Sequence, residues 1–176
     1  NERFVNNIKA HRDLLEQVNV TSSGQFPFAA ILSCIDSRTS AELIFDQGLG
    51  DIFSIRIAGN ILNEDILGSM EFACKIAGSK LIVVLGHTKC GAIEYACNDI
   101  VLGNITNLLN KIKPAIQLET ETKAERNGNN RVFMNNVTTN NVHLTVKKIK
   151  EQSTLLAELE ASGEIKIIGG LYDLDT

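Results

Sequence analysis

The 176-residue chain has no tryptophan, two prolines, four cysteines and few aromatic residues, at 5%. Cys34, Cys74, Cys90 and Cys97 are too few and too irregularly spaced for a disulfide framework at this length. Metal ligation or free thiols are the uses left to them. No apolar run approaches the ~20 residues that cross a bilayer. No basic segment followed by a short apolar one opens the chain as an export signal would. Basic residues are not in excess either: 17 Lys and Arg face 21 Asp and Glu, for a net charge of −4. A nucleic-acid footprint needs a basic face, and none is here. Lys147, Lys148 and Lys150 cluster, but Glu151 follows at once, as on a solvated helix face. The expectation is a protein without membrane or nucleic-acid partners, placed in the cytoplasm. The chain opens on Asn1 and not on Met, so an N-terminus lying further upstream is expected.

What is present suits one domain over residues 1–176, with 44% hydrophobic and 22% charged residues. Four apolar runs read as strands, at 28–33, 52–57, 81–85 and 165–168, the last ending in Gly169-Gly170. Runs with so little alternation suit strands covered on both faces, as in a parallel sheet. Between them lie helical periods: Ile66, Met70, Ala73 and Ala77; Ile105, Leu108, Leu109, Ile112 and Ile116; then Val142, Val146, Ile149 and Leu156, with a break near Ser153. The pattern predicts an α/β fold: a central, mainly parallel sheet of about four strands flanked by helices in three layers. The polar stretch 119–130 reads as a surface loop.

Two chemically loaded segments follow strands. Cys34-Ile35-Asp36-Ser37-Arg38 comes after the first, and His87-Thr88-Lys89-Cys90-Gly91 after the third. The carboxyl ends of parallel strands share one edge, where ligands bind, so both segments point into one crevice. Two thiolates and an imidazole there can supply three ligands of a tetrahedral Zn2+ and leave the fourth position open, which is a catalytic pattern. Taken alone, His-x-x-Cys is weak evidence for a metal and suits buried cysteines and a hydrogen-bonded loop histidine better. Asp36 and Arg38 change the balance. Alternate residues of extended chain share a face, and a carboxylate beside a metal needs a partner, for which Arg offers a permanent two-pronged charge.

With these segments in place, the sequence resembles β-class carbonic anhydrases over nearly its whole length. Cys-x-Asp-x-Arg and His-x-x-Cys at this separation are the specific part. Arg56-Ile57-Ala58-Gly59-Asn60 is similar to the family's Arg-Asn-Ala-Gly-Asn segment, with Ile57 in place of Asn. Gly68-Ser69-Met70-Glu71-Phe72-Ala73 resembles its Ser-Leu-Glu-Tyr-Ala helix. Residues 170–176 resemble the family's closing strand, which ordinarily continues, so a truncated C-terminus is expected as well. The resemblance implies one Zn2+ on Cys34, His87 and Cys90, and reversible hydration of CO2 to bicarbonate and a proton by zinc-bound hydroxide. Asp36 and Arg38 would form the catalytic dyad, with Asp36 becoming a fourth ligand only in a closed state. It further implies a CO2 pocket of Gln25, Phe53, Ala58, Gly59 and Phe72 at the interface of a homodimer or higher even-numbered oligomer. Gln25 and Phe72 would reach across from the neighbouring subunit. The family's bicarbonate-regulated members carry Trp where this chain has Ile31, which implies a constitutively open site.

Two other readings stay open at this stage. The same zinc site could hydrolyse CS2 or COS, or Cys34 and Cys90 could serve a non-catalytic zinc or thiol-redox module. Intact Asp36 and Arg38 weigh against the last, since a redox pair has no use for them. His11 and His143 sit in helical patterns and read as solvated histidines, while Cys74 and Cys97 read as buried or idle thiols.

Overall fold

The apolar runs form four parallel strands, β1 (Ala29–Ser33), β2 (Ile52–Arg56), β3 (Leu81–His87) and β4 (Lys166–Tyr172), in the order β2-β1-β3-β4. This computed structural model describes Asn6 and residues 12–175. His11 lies outside the described residues. Around the sheet run α1 (Leu14–Val20), α2 (Ala41–Ile44), α3 (Glu64–Glu71), α4 (Gly91–Cys97), α5 (Gly103–Asn110), α6 (Lys113–Leu118), α7 (Arg131–Gln152) and α8 (Thr154–Ala161). A 3-10 turn, Ala58–Asn60, follows β2, and a π turn, Phe72–Ile76, extends α3.

Caps set the helix limits. The Asn63 side chain accepts from the Ile66 N–H at 2.8 Å and starts α3. Asn130 does the same for α7 through the N–H groups of Val132 and Phe133. Ser153 is extended, with φ −121° and ψ 101°, so it ends α7 and caps α8. Its hydroxyl also donates to Glu71 Oε1 at 2.6 Å, tying the start of α8 to the end of α3.

The central strands β1 and β3 bury both faces, but the helical layers are unequal. Ala30, Leu32, Ile82, Val84 and Ile167 pack against residues of α3, α7 and α8, among them Met70, Ile149 and Leu156, all fully buried. Each such aliphatic side chain contributes about 1.5–3 kcal/mol. The opposite face (Ala29, Ile31, Val83, Leu85, Tyr172) meets Ala41 and Ile44 of the one-turn α2. It retains an apolar groove of about 400 Å3.

The last strand runs through Gly169-Gly170 to Tyr172, past the point where the glycines seemed to end it. The reason is the close approach of α7. A Cβ on Gly169 would lie 2.6 Å from Val142 Cγ1, and one on Gly86 would lie 2.7 Å from Val142 Cγ2. Glycine here sets the helix-to-sheet spacing, and alanine at either position would push α7 off the sheet.

The strand order places the crevice. The chain leaves β1 for β2 on one side and then crosses to β3 on the other, so β1 and β3 flank a switch point. Their carboxyl ends carry Cys34 and His87.

Candidate metal centre

Cys34, one residue past β1, His87, the last of β3, and Cys90, the cap of α4, are 4%, 1% and 1% exposed. Their ligand atoms all lie within 4.8 Å of one another. Lys89 takes a left-handed φ of 57°, which turns the chain so that His87 and Cys90 face the same point. The segment after β4 straps this loop: Thr88 N–H donates to Tyr172 O at 3.0 Å, and Thr88 Oγ1 donates to Asp173 Oδ1 and accepts from Leu174 N–H, each at 2.9 Å. Lys89 pairs with Asp175 at the surface.

The imidazole is oriented by its own backbone. Nδ1 donates to Thr88 O at 2.9 Å, so Nε2 presents a lone pair, and that buried atom has no hydrogen-bond partner. Buried polar atoms are ordinarily satisfied, and this one faces two sulfurs 3.9 Å apart. The sulfurs lie within hydrogen-bonding distance of each other. The hydrogen bond from Cys90 draws the Cys34 thiol down to about 4 against the opposing effect of burial, helped by the N–H groups of Gly59 and Asp36. Cys90 is pushed far up, by the same hydrogen bond first, then by burial and the charge of Cys34. A divalent cation between the sulfurs removes that repulsion. Two sulfurs and one ring nitrogen form a donor set that tetrahedral Zn2+ accepts, with a fourth position left over.

Asp36 stands beside this group and outside it. Its Oδ1 accepts from Arg38 Nε at 2.9 Å and from the Arg38 backbone N–H at 3.0 Å, while Oδ2 accepts from an Arg38 terminal nitrogen at 2.7 Å. The Arg38 side-chain hydrogen bonds, acting against burial, hold the Asp36 carboxyl at about 2. Oδ2 lies 3.9 Å from His87 Nε2, on the crevice side. Arg38 also donates to Lys89 O at 3.2 Å and so bridges the two ligand-bearing segments.

Arg56, named at the sequence level only within a matched segment, turns out to clamp the first motif. Its Nε donates to Cys34 O at 3.1 Å and a terminal nitrogen donates to Asp36 O at 2.6 Å. The acceptors are main-chain carbonyls, which carry no sequence signature. Gly59 N–H donates to Cys34 Sγ at 3.3 Å.

Of the five pocket residues, Ala58 and Gly59 sit at the crevice end of the sheet. Phe53 pairs in register with Ala30, four residues before Cys34 and about 13 Å back along the strand. It meets the half-exposed Phe72 edge to face, with ring centroids 6.3 Å apart, in a cavity of about 560 Å3 beside edge strand β2. Gln25 is exposed in the loop entering β1, at the opposite edge of the sheet from Cys34. One chain therefore brings together Cys34, His87, Cys90, Asp36, Arg38 and Gly59, and leaves Gln25, Phe53 and Phe72 away from them. His143 is exposed on α7. Cys74 and Cys97 are buried, and burial pushes both thiols up to about 11.

A family model described as "Carbonic anhydrase" matches residues 29–176. "Carbonic anhydrase 2" of Mycobacterium tuberculosis is 38% identical over 181 residues, covering 99% of this chain and 84% of its own. The carbonic anhydrase of Mycolicibacterium smegmatis is 33% identical with the same coverage. Among solved structures, a Coccomyxa β-carbonic anhydrase in complex with acetazolamide superposes with a TM-score of 0.79 at 20% identity, covering 90% of this chain and 72% of that one. One of two tetrameric β-carbonic anhydrases from Sordaria macrospora gives 0.77 at 21% identity, covering 89% and 81%. At these identities the structural likeness speaks for the fold.

Proposed function

The chain belongs to the β-class carbonic anhydrases, and on that premise we propose that it hydrates CO2 reversibly with one Zn2+ held by Cys34, His87 and Cys90, and with Asp36 and Arg38 as the catalytic dyad. The observation that carries the reading is the buried, unpartnered Nε2 of His87 facing two sulfurs 3.9 Å apart. When bound, zinc supplies a Lewis acid that brings a water molecule toward ionisation near neutral pH, an effect for which carbonic anhydrases are the standard example.

The rest is the work of the chain. Asp36 is ionised throughout the neutral range, so it acts as an acceptor only. From its place beside His87 Nε2, Oδ2 accepts a hydrogen bond from the reacting water and directs a lone pair of that oxygen toward CO2. Arg38 uses both prongs of its guanidinium fork to keep the carboxylate from turning into the ligand group, where it would block the reaction. Arg56 fixes the main chain that carries both Cys34 and Asp36, so the distance between ligand and acceptor is held from below.

The active unit in this reading is a homodimer or higher even-numbered oligomer. Gln25, Phe53 and Phe72 do not reach the crevice of their own chain, and Phe72 stands exposed next to the unpaired edge of β2. Among the described residues no helix is long and apolar enough to cross a membrane. Four unpaired cysteines suit a reducing compartment such as the cytoplasm.

Zinc content measured on the same preparation as CO2 hydration and COS or CS2 hydrolysis tests this function. Full zinc with CO2 hydration dominant is expected. Hydrolysis of the sulfur compounds without CO2 hydration, or full activity without metal, would refute it.

A further inference from the structure

Asn141 is a buried amide in the middle of α7, 3% exposed, in a helix where asparagine is a poor former and a buried amide needs a partner. Its Nδ2 donates to Gly59 O at 2.9 Å across 82 residues of sequence. Gly59 in turn donates its N–H to Cys34 Sγ at 3.3 Å. The two bonds grip the two peptide planes on either side of one Cα, and that Cα is held in an uncommon conformation. Gly59 has φ 67° and ψ 18°, and Asn60 after it has φ 41°. Two successive left-handed residues, one of them not glycine, persist only where surroundings hold them. Packing contributes, since a Cβ on Gly59 would meet Ile112 Cδ1 at 2.9 Å and Ala92 Cβ at 3.2 Å. Packing alone, however, does not fix the direction of a carbonyl.

We infer that Asn141 is a positioning residue for the metal centre: by holding the Gly59 carbonyl, it aims the Gly59 N–H at the Cys34 sulfur and so sets how much negative charge that sulfur presents to the metal. The inference rests on Cys34 being a metal ligand. Without the amide, the Gly59 carbonyl is left buried and unpaired, the left-handed turn relaxes, and the N–H···S bond lengthens. The Cys34 sulfur then loses a donor that stabilises its anionic form. Partners one step behind a metal ligand commonly change metal affinity by about 10–100-fold when removed.

The test uses Asn141→Leu, which comes near the shape and removes the donor, and Asn141→Ala, which removes the side chain. Both are loaded with Zn2+ and, separately, with Co2+. Zinc affinity, read by competition with a chromogenic chelator, is expected to fall about tenfold or more, and the sulfur-to-cobalt charge-transfer band to shift. A merely structural Asn141 would lower the unfolding temperature and leave affinity and band position unchanged, and that result would overturn the inference. Should both variants fail to fold, the wild-type protein loaded with 113Cd decides. The Gly59 amide proton is expected to show scalar coupling to cadmium through the sulfur, and the Asn141 side-chain amide to exchange slowly. Absent coupling at Gly59 with metal bound would refute the inference while leaving the ligand assignment standing. A wild-type protein that takes up no metal on Cys34 would instead remove the premise, and the inference with it.

Discussion

Asp36 and Glu119 are both carboxylates paired with an arginine and both held at about 2, yet they sit in opposite kinds of place. Glu119 has a side chain 1% exposed, against 14% for Asp36. Burial acts to raise the Glu119 carboxyl and is outweighed by hydrogen bonds. Oε1 accepts from Thr122 N–H at 2.9 Å, Thr122 Oγ1 at 3.0 Å and Asn136 Nδ2 at 3.1 Å, while Oε2 meets Arg126. Arg126 lies over the ring of Phe133, 4.7 Å from its centroid, and Phe133 belongs to the same buried cluster as Cys34 and Cys90. Glu119 thus spends its acceptors on holding a loop against the core. Asp36 is bonded by Arg38 and still turns Oδ2 toward His87. A depressed carboxylate does not by itself mark function; the direction of its remaining lone pair does.

Substitutions separate the two roles. The largest effect falls on the proposed ligands: Cys34→Ser or His87→Ala is expected to abolish zinc binding and CO2 hydration together, as metal analysis and stopped-flow hydration assays would show. Full zinc and full rate in either variant would reject the ligand assignment. Asp36→Asn comes next. It keeps the shape, and its amide oxygen still meets Arg38, but it loses a charged acceptor worth about 1.5–3 kcal/mol, or roughly ten- to a hundredfold in kcat. Zinc content should stay near wild type, and parallel loss of rate and zinc would make Asp36 a ligand instead. Glu119→Gln should show the reverse profile. A loss of about 1–3 kcal/mol lowers Tm by roughly 3–10 °C, with kcat per zinc unchanged; a kcat loss at constant Tm would collapse the distinction.

Acid sharpens it further. Glu119 is lowered in the folded chain, so its contribution is fully present above the ordinary carboxylate range and is lost as pH falls toward about 2. The stability gap between wild type and Glu119→Gln should therefore be constant near neutrality and shrink below about pH 4.5. A gap that widens as pH falls would contradict this sign. The smallest effect is expected at Cys74 and Cys97. Both thiols lie at about 11, so in metal-free protein at neutral pH Cys34 should react with a disulfide reagent well before either.

The parts legible in the sequence are those with local signatures. Uninterrupted apolar runs announced parallel strands, and the position of Cys34, Asp36 and Arg38 just after one of them put these side chains at the sheet edge. What stayed hidden depends on the main chain or on distant partners. The Arg56 clamp is addressed to carbonyl oxygens, and Asn141 reaches Gly59 from another layer of the fold. The first half of α7 reads as polar, Asn- and Thr-rich chain of low helix propensity, yet Phe133, Met134 and Val137 bury its inner side. Glu119 opened what read as an exposed loop, and the loop is indeed mostly exposed, but its first residue is the buried anchor.

Whether Cys34, His87 and Cys90 hold one zinc, and whether this metal with Asp36 carries the hydration of CO2, is a question of stoichiometry. Adding Zn2+ stepwise to metal-free wild-type protein while following CO2 hydration by stopped flow answers it. The rate is expected to rise in proportion to zinc and to break at one ion per chain. A rate independent of zinc, or a chain saturated with zinc and inactive toward CO2, would contradict the proposed function.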